Sequence, residues 1–270
     1  MKKYKVKSNI AAVAASTLVL SGASVSAATV WNVNVGNSSV ETTNEITTGD
    51  NYQGAATENT ASSTWNAVSS TTLVTLDDST GDDTAGVTFQ LTAAVGSVIN
   101  FGGQNLLAGD EVFNTWIKDG DAGPGDVVND DPFSITFGNL DAGVTYDLVV
   151  YSDWWWGTNA LPVEQTAGTG LTGSFTINSP QIDGTLTPGS NGGVGPLLED
   201  TDFMNTAGNS NYARFNGLEA DGSGNITLQL GGVGNVNHPT NGFQLIAVPE
   251  PSSAALLGLG GLALILRRRK

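Results

Sequence analysis

A cluster of aromatic side chains near the middle of the chain has the residue types that bind sugars. Tyr151 is followed by Asp153 and then by three consecutive tryptophans, Trp154, Trp155 and Trp156. Flat aromatic rings stack on sugar rings, and a nearby carboxylate accepts hydrogen bonds from sugar hydroxyls. Because successive side chains of a strand alternate between faces, the three tryptophans do not all enter one core. The cluster therefore predicts either a carbohydrate-binding surface or a set of rings that closes the open end of a β-structure.

Two short segments gather enough carboxylates to attract a divalent cation. The first contains Asp77, Asp78, Asp82 and Asp83, and the second has five aspartates between residues 119 and 131. Calcium takes oxygen ligands from acidic loops of this kind, but neither segment has the glycine that an EF-hand requires at its sixth position. The first segment is thus a candidate Ca²⁺ site, and an acidic, solvated turn is the alternative.

The residues of common catalytic sites are mostly missing. His238 is the only histidine and there is no cysteine, so multi-histidine metal sites and thiol nucleophiles are excluded. Residues 168–173 match the glycine spacing of a dinucleotide-binding loop, but residues 174–177 have strand character, whereas that loop needs a helix to receive the pyrophosphate. Glycoside hydrolysis needs one pair of carboxylates, and the chain has too many to nominate a pair. We therefore expect a protein without enzymatic activity.

Charge is distributed unevenly along the chain. The segment 28–248 has 25 acidic residues and only two basic ones, Lys118 and Arg214, so its net charge is −23. Such a surface repels phosphate groups, which excludes nucleic acid as a partner. It also favours solubility and attracts cations. Since the chain has no cysteine, its stability has to come from packing and from any bound ions.

The first 27 residues have the three parts of a secretory signal peptide in order. Basic residues between Lys2 and Lys7 are followed by an apolar run at 10–20 and by Val25-Ser26-Ala27, an A-x-A-like cleavage site. The apolar run is too short to span a bilayer comfortably, which argues against an uncleaved anchor. We therefore expect export, with cleavage by signal peptidase after residue 27.

The C-terminal residues have the features of a short membrane anchor. Two prolines break any helix or strand that arrives from the preceding domain. The apolar residues at 254–266 would rise about 20 Å as a helix, against about 30 Å for the hydrocarbon core, so they form a marginal span of the inner membrane. The basic cluster after them favours the cytoplasmic side. The residues of the proline motif and the basic cluster are Pro249, Glu250, Pro251, Arg267, Arg268, Arg269 and Lys270.

The order of a Pro-Glu-Pro motif, an apolar helix and an arginine cluster resembles the PEP-CTERM sorting signal. The resemblance covers residues 248–270. It implies recognition by exosortase, a membrane-embedded transpeptidase-like enzyme, with transient anchoring in the membrane. It also implies delivery to the cell surface or to the extracellular polysaccharide matrix. A plain anchor that is never processed is the alternative.

Between the two ends, residues 28–247 predict one all-β domain. Short β-type runs are separated by turns rich in Gly, Asp and Asn, notably at 77–81 and 221–225. Residues 29–35 alternate apolar and polar side chains, as a half-buried strand does. Without alternation of strands and helices, the pattern predicts an antiparallel β-sandwich, with 102–131 as a long loop. Further strands are expected at 71–76, 87–91, 133–137, 144–151, 173–177, 212–215, 226–230 and 243–248.

Several local patterns of this domain resemble exported PEP-CTERM proteins with jelly-roll, galactose-binding-like sandwiches. Taken together, the sequence predicts a non-catalytic surface or matrix protein. A carbohydrate-binding module is the alternative, and a polysaccharide-degrading enzyme is a third hypothesis. The patterns that carry the resemblance are Trp65-Asn66, Asp77-Asp78-Ser79, Gly86-Val87-Thr88, Gly138-Asn139-Leu140, Tyr146-Asp147-Leu148 and Asn241-Gly242-Phe243-Gln244-Leu245.

Overall fold

All described residues belong to one compact unit of the chain. The structure is a computed structural model that describes residues 28–36, 55–56, 63–83, 85–94, 99–103, 115–119, 132–152, 159–171, 174–179, 212–231 and 240–249. These ranges fall within the unit Ser26–Glu250. The predicted signal peptide (1–27) and the apolar segment at 254–266 lie outside the described residues. Within the described ranges, no helix has the length and apolar character to cross a membrane.

The regular elements of these ranges are β-strands. They are β1 (Thr29–Val35), β2 (Asn66–Val68), β3 (Val74–Thr75), β4 (Thr88–Ala93), β5 (Ile99–Gly103), β6 (Thr115–Asp119), β7 (Phe133–Gly138), β8 (Thr145–Tyr151), β9 (Asn159–Ala167), β10 (Ser174–Ser179), β11 (Tyr212–Glu219), β12 (Ile226–Leu230) and β13 (Gly242–Val248). Each expected strand has a counterpart, although the one expected at 71–76 is limited to Val74–Thr75, and β2, β5, β6 and β9 are additional. Because β6 lies inside 102–131, the prediction of a long loop there was wrong in that part.

The first and the last of these strands lie side by side in a five-stranded sheet. Its order is β11-β8-β13-β1-β2. β1 and β13 run antiparallel, with Thr29 opposite Ala247 and Asn34 opposite Gly242. β8 pairs antiparallel with both β13 and β11. β2 pairs parallel with β1, so this sheet, which we call the first sheet, is antiparallel except at one edge.

The second sheet has six strands in the order β10-β9-β12-β7-β4-β3. All of its pairings are antiparallel. β5 and β6 form a separate two-stranded sheet. It is joined to the first sheet by an isolated bridge between Ile117 of β6 and Thr240, two residues before β13.

The two large sheets share one apolar core. Side chains alternate along each strand, and Trp31 and Val33 enter this core from β1. Aromatic rings from both sheets meet there. The ring centroid of Phe243 in the first sheet lies 5.6 Å from that of Phe89 and 6.4 Å from that of Phe137, both in the second sheet. Burial of such rings is the dominant favourable contribution to folding. The predicted all-β architecture with antiparallel-rich sheets is confirmed.

The outer face of the first sheet is also buried, which differs from the half-buried strand predicted at residues 29–35. Asn32 and Asn34, polar positions of β1, are 0% and 2% exposed. Ala56 and Trp65 pack on this face, and the Asn32 amide donates to the carbonyl oxygen of Thr64 at 2.7 Å. Period-two alternation predicts the face to which a side chain points, but not whether another segment covers that face.

Two turns of the domain share one design. Asp78 Oδ1 and Asp221 Oδ1 each accept hydrogen bonds from the backbone N–H groups two and four residues later, at 2.7 and 3.1 Å for Asp78 and at 2.8 and 2.9 Å for Asp221. The glycine three residues after each aspartate has a positive φ, +85° at Gly81 and +78° at Gly224. Glycine adopts this conformation without steric cost. The turns predicted at 77–81 and 221–225 are confirmed.

Candidate functional site

Of the four aromatic residues predicted to bind sugar, Tyr151 is the one that lies within the described ranges. Its side chain is fully buried (0% exposed), with ring centroids 6.3 Å from Trp65 and 6.0 Å from Tyr212. Its hydroxyl donates to Gln244 Oε1 and accepts from the backbone N–H of Ala55. Tyr151 therefore presents no exposed ring face to a sugar. Instead it binds the segments of Ala55 and Trp65, which cover the outer face of the first sheet. The others, Trp154, Trp155 and Trp156, lie outside the described residues.

The four aspartates predicted to bind Ca²⁺ lie in and directly after the turn at 77–81. Asp78 uses its Oδ1 within its own turn, where it also accepts from Thr80 Oγ1 at 2.6 Å. Asp77 is half-buried, whereas Asp82 and Asp83 are exposed. In the part of the chain that the structure describes, no three acidic, histidine or cysteine side chains come together in a way that could hold a metal ion.

The glycine-rich segment 168–173 leads into a strand, as predicted from the sequence. β10 begins at Ser174, where a dinucleotide-binding loop would need a helix N-terminus. Close packing explains one of the glycines, because a Cβ atom on Gly170 would lie 2.3 Å from the carbonyl oxygen of Gly217. Gly170 also has a φ of +118°. The described part of the segment, residues 168–171, thus packs closely against β11.

A groove lies along β4 beyond the end of its pairing with β3. β3 pairs with β4 only at Val74 opposite Phe89 and at Thr75 opposite Thr88. β4 continues to Ala93, whereas residues 69–73 belong to no strand. The space beside β4 has a volume of about 630 Å³. The residues that line this β4 groove are Ser69, Ser70, Thr71, Gln90, Leu91, Thr92, Ala93, Ile99 and Phe101.

The backbone of β4 directs hydrogen-bonding groups toward the β4 groove. The N–H of Leu76 donates to the carbonyl oxygen of Val87 at 2.8 Å, so the peptide groups of Val87 face the β3 side. Because these groups alternate between the two sides of a strand, those of Leu91 and Ala93 face the same side. Both residues line the β4 groove, past the short β3.

The side chains that line the β4 groove are uncharged. Serine and threonine hydroxyls and the amide of Gln90 supply donors and acceptors, and the half-buried Phe101 supplies an aromatic surface. Few polar groups beside apolar surface are typical of sites for neutral small ligands. The lining comes from three separate segments, so residue spacing along the chain provides no signal for it beyond the run of hydroxyl residues at 69–72.

The solvent-facing side of the second sheet extends this polar surface. Residues directly opposite one another share a face, so Gln90, Thr136 and Thr227 form a row across β4, β7 and β12. The hydroxyl oxygens of Thr136 and Thr227 lie 3.0 Å apart. A second row is formed by Thr92, Ser134, Gln229 and Glu164.

A comparison with solved structures finds a likeness to the CBM36-1 domain of a multidomain xylanase from the hindgut metagenome of Trinervitermes trinervoides. The two chains are 15% identical, with a TM-score of 0.26, and the alignment covers 59% of this chain and 97% of that domain. A structural similarity this low does not indicate a ligand for this protein. No curated protein matches the chain at a significant level.

A comparison with protein families gives a match at the C-terminal residues. The family model that matches describes a PEP-CTERM protein-sorting motif and covers residues 247–270. The match begins in the last two residues of β13, which ends at Val248, and includes Pro249, Glu250, Pro251, Arg267, Arg268 and Arg269. Residues 247–270 of this chain are therefore a PEP-CTERM protein-sorting motif, as the order of proline motif, apolar segment and arginines predicted.

Proposed function

We propose that the protein is an exported, non-catalytic component of the cell surface or the extracellular matrix, which exosortase sorts through residues 247–270. The observation that carries this proposal is the PEP-CTERM motif, which implies export and membrane anchoring before exosortase processing. The net charge of −23 between residues 28 and 248 is consistent with a domain that stays soluble outside the cell.

The end of the domain supports recognition of the motif. β13 is flanked by β1 on one side and β8 on the other, and Val248 is its last residue. Pro249 follows directly and has no N–H group with which to continue the ladder. The sheet therefore stops where the Pro-Glu-Pro motif begins, which favours an accessible motif.

The proposal divides the chain into three parts. Residues 1–27 are a signal peptide that signal peptidase removes. Residues 28–247 are a β-sandwich domain with a jelly-roll, galactose-binding-like fold. Residues 248–270 are the sorting tail, with 254–266 as a short transmembrane helix. A helix of about 20 Å is shorter than the hydrocarbon core of about 30 Å, which suits an anchor that is held only until it is processed.

A substitution in the sorting motif tests this function. In a host that has an exosortase, we expect the natural sequence to lose its tail and to reach the surface or matrix fraction. Glu250→Gln removes the charge of the motif, so we expect this variant to lose its signal peptide but to keep its tail and stay with the inner membrane. Cell fractionation followed by intact-mass measurement reports both properties.

The matched control is Glu164→Gln, the same change at an exposed position of β9. It should be processed like the natural sequence. Equal processing of the Glu250→Gln variant would contradict recognition through the motif. Full-length protein in the cytosol, with both ends intact, would overturn the assignment to the envelope.

The β4 groove favours a second function, the binding of neutral carbohydrate from the extracellular matrix. Its hydroxyl and amide side chains, the backbone groups that Leu91 and Ala93 direct toward it and the ring of Phe101 are suited to a ligand rich in hydroxyls. An uncharged lining in a strongly acidic domain disfavours acidic polysaccharides. Trp154, Trp155 and Trp156 are further candidates for the same ligand class.

Titration calorimetry with a panel of neutral and acidic oligosaccharides tests this second function. We expect binding of neutral glycans, weakened about thirtyfold by the double change Gln90→Ala and Thr92→Ala, since each of the two lost hydrogen bonds contributes about 1 kcal/mol. Thr166→Ala, at an exposed position of β9, is the control. Trp155→Ala tests the tryptophans separately. No binding to any glycan of the panel would dispose of the carbohydrate function without affecting the sorting proposal.

A further inference from the structure

An asparagine–glycine dipeptide lies in a bulge of the first sheet, beside a partly buried ion pair between Arg214 and Asp147. Phe215 of β11 lies opposite Leu148 of β8, and Leu218 lies opposite Tyr146. Asn216 and Gly217 therefore face one residue of β8, Asp147. Asn216 and Gly217 are exposed, whereas the side chain of Asp147 is only 12% exposed.

Asp147 and Arg214 bind the atoms of this pair that react when an asparagine cyclises. Asp147 Oδ1 accepts the backbone N–H of Gly217 at 3.0 Å. Arg214 Nε donates to Asn216 Oδ1 at 3.2 Å. Arg214 is held in turn by Asp147 Oδ2, at 2.8 Å from Nη2. The Asp147 carboxylate thus holds the N–H group of Gly217, whose nitrogen is the nucleophile. The Arg214 guanidinium polarises the side-chain carbonyl group of Asn216, which that nitrogen would attack.

We propose that Asn216 is a self-modification site, at which Asp147 and Arg214 promote loss of the side-chain amide as ammonia. The Gly217 nitrogen bonds to Asn216 Cγ, and its proton passes to the Asp147 carboxylate. The bond between Cγ and Nδ2 breaks, and the leaving nitrogen takes that proton and departs as ammonia. The resulting succinimide ring then adds water at one of its two carbonyl groups, which yields aspartate or isoaspartate at position 216.

The space beside the Cα atom of Gly217 is open. Gly217 has a φ of +76°, and a Cβ atom added to it would meet nothing within 4 Å. The N–H bond that donates to Asp147 lies in the peptide plane, whereas the nitrogen attacks with electron density perpendicular to that plane, so donation and attack are compatible. General base catalysis of this type contributes about a hundredfold or more when the base is well placed.

The chain contains an internal control for this reaction. Asn241–Gly242 is the same dipeptide, but Asn241 is fully buried (0% exposed). Gly242 is the first residue of β13, where it lies opposite Asn34 on one side and Tyr151 on the other. A five-membered ring cannot form there without breaking both ladders. We expect position 241 to keep its amide.

The experiment follows the amide at position 216 over several weeks at neutral pH in the folded domain. Peptide mapping by mass spectrometry detects replacement of the amide by an acid, and an isoaspartate assay detects the isomerised product. A synthetic peptide with residues 212–220 gives the rate without the fold. We expect the folded domain to react about tenfold faster than the peptide or more, and Asp147→Asn to bring the rate down to that of the peptide.

Two outcomes would overturn the proposal. One is a slower reaction in the folded domain than in the peptide, because the fold would then protect Asn216. The other is an unchanged rate in a folded Asp147→Asn variant. The comparison between domain and peptide decides the matter even where that variant does not fold. Asn216→Gln, which would need a larger ring, is expected to remain unmodified.

Discussion

Gln244 joins three segments on the buried outer face of the first sheet. Its Oε1 accepts hydrogen bonds from the backbone N–H of Ala56 at 2.9 Å and from the Tyr151 hydroxyl. Its Nε2 donates to Asn32 Oδ1 at 2.8 Å. A buried polar group that loses its partner costs about 1–3 kcal/mol. The segments that cover this face are therefore less stable when any of these hydrogen bonds is lost.

Gln244→Leu keeps the volume of this side chain and removes its hydrogen bonds. We expect the free energy of unfolding to fall by about 2–4 kcal/mol, because several buried groups lose their partner at once. Urea unfolding followed by tryptophan fluorescence measures the change. The same substitution at the half-buried Gln229, on the solvent-facing side of the second sheet, is expected to cost about 0.5 kcal/mol or less. An equal loss at both positions would contradict the role of Gln244.

At this scale, the sequence predicted the direction of side chains better than their environment. The alternation in β1 separates Trp31 and Val33 from Asn32 and Asn34, and the structure keeps that separation. The asparagines are buried nevertheless, because a segment from elsewhere in the chain covers them. Tyr151 is buried on the same face for the same reason. Contacts between residues distant in sequence leave no periodic signal in a single strand.

Turns are the elements that the sequence predicted most directly. An aspartate that accepts backbone N–H groups and a glycine with positive φ are local features, and both turns at 77–81 and 221–225 have them. β9 was not among the expected strands, and its run contains Pro162, a residue type that weakens the signal of a strand. In the structure, the residues of β9 that pair with β12 lie between Val163 and Ala167. Pro162 is outside this pairing, so the N–H group that it lacks is not needed by β12.

Gly224→Ala tests the turn design. The alanine would have to adopt a φ of +78°, and its Cβ atom would lie 2.9 Å from the carbonyl oxygen of Leu140. We expect a loss of about 1–3 kcal/mol in the free energy of unfolding. Gly222→Ala, in the same turn but with open space around it, is expected to change stability by about 0.5 kcal/mol or less. Thermal or urea unfolding of the two variants distinguishes strain from a general effect of alanine.

At the scale of the whole molecule, repulsion between the many carboxylates opposes the folded state. The segment 28–248 has 25 acidic residues, and one of its two basic residues, Arg214, is already paired with Asp147. Self-repulsion of this size destabilises a folded domain, and salt shortens its range. The two sheets must therefore overcome repulsion that salt can reduce.

Sodium chloride is expected to raise the midpoint of thermal unfolding of the domain by a few degrees, as it screens like charges. Differential scanning calorimetry across a salt series measures this. A midpoint that falls with salt would contradict the argument from repulsion. Calcium chloride at matched ionic strength separates screening from binding, because an additional rise would indicate a bound ion of the kind predicted near Asp77 and Asp78.

The sorting motif and the β4 groove differ in how far the sequence could predict them. The motif is continuous, so its residue types and their order were sufficient. The β4 groove depends on where β3 stops pairing with β4 and on where β5 places Phe101. These are results of folding, and no single one of its residues has an unusual type or spacing.

The pairing of Thr29 with Ala247 has a consequence for the way the domain is made. Opposite residues of antiparallel strands are about 5 Å apart, so the chain enters and leaves the sandwich through neighbouring points. A polypeptide restrained at both ends by the same bilayer could close this domain without stretching either connection. Under the proposed sorting, removal of the signal peptide and processing of the tail therefore need no fixed order.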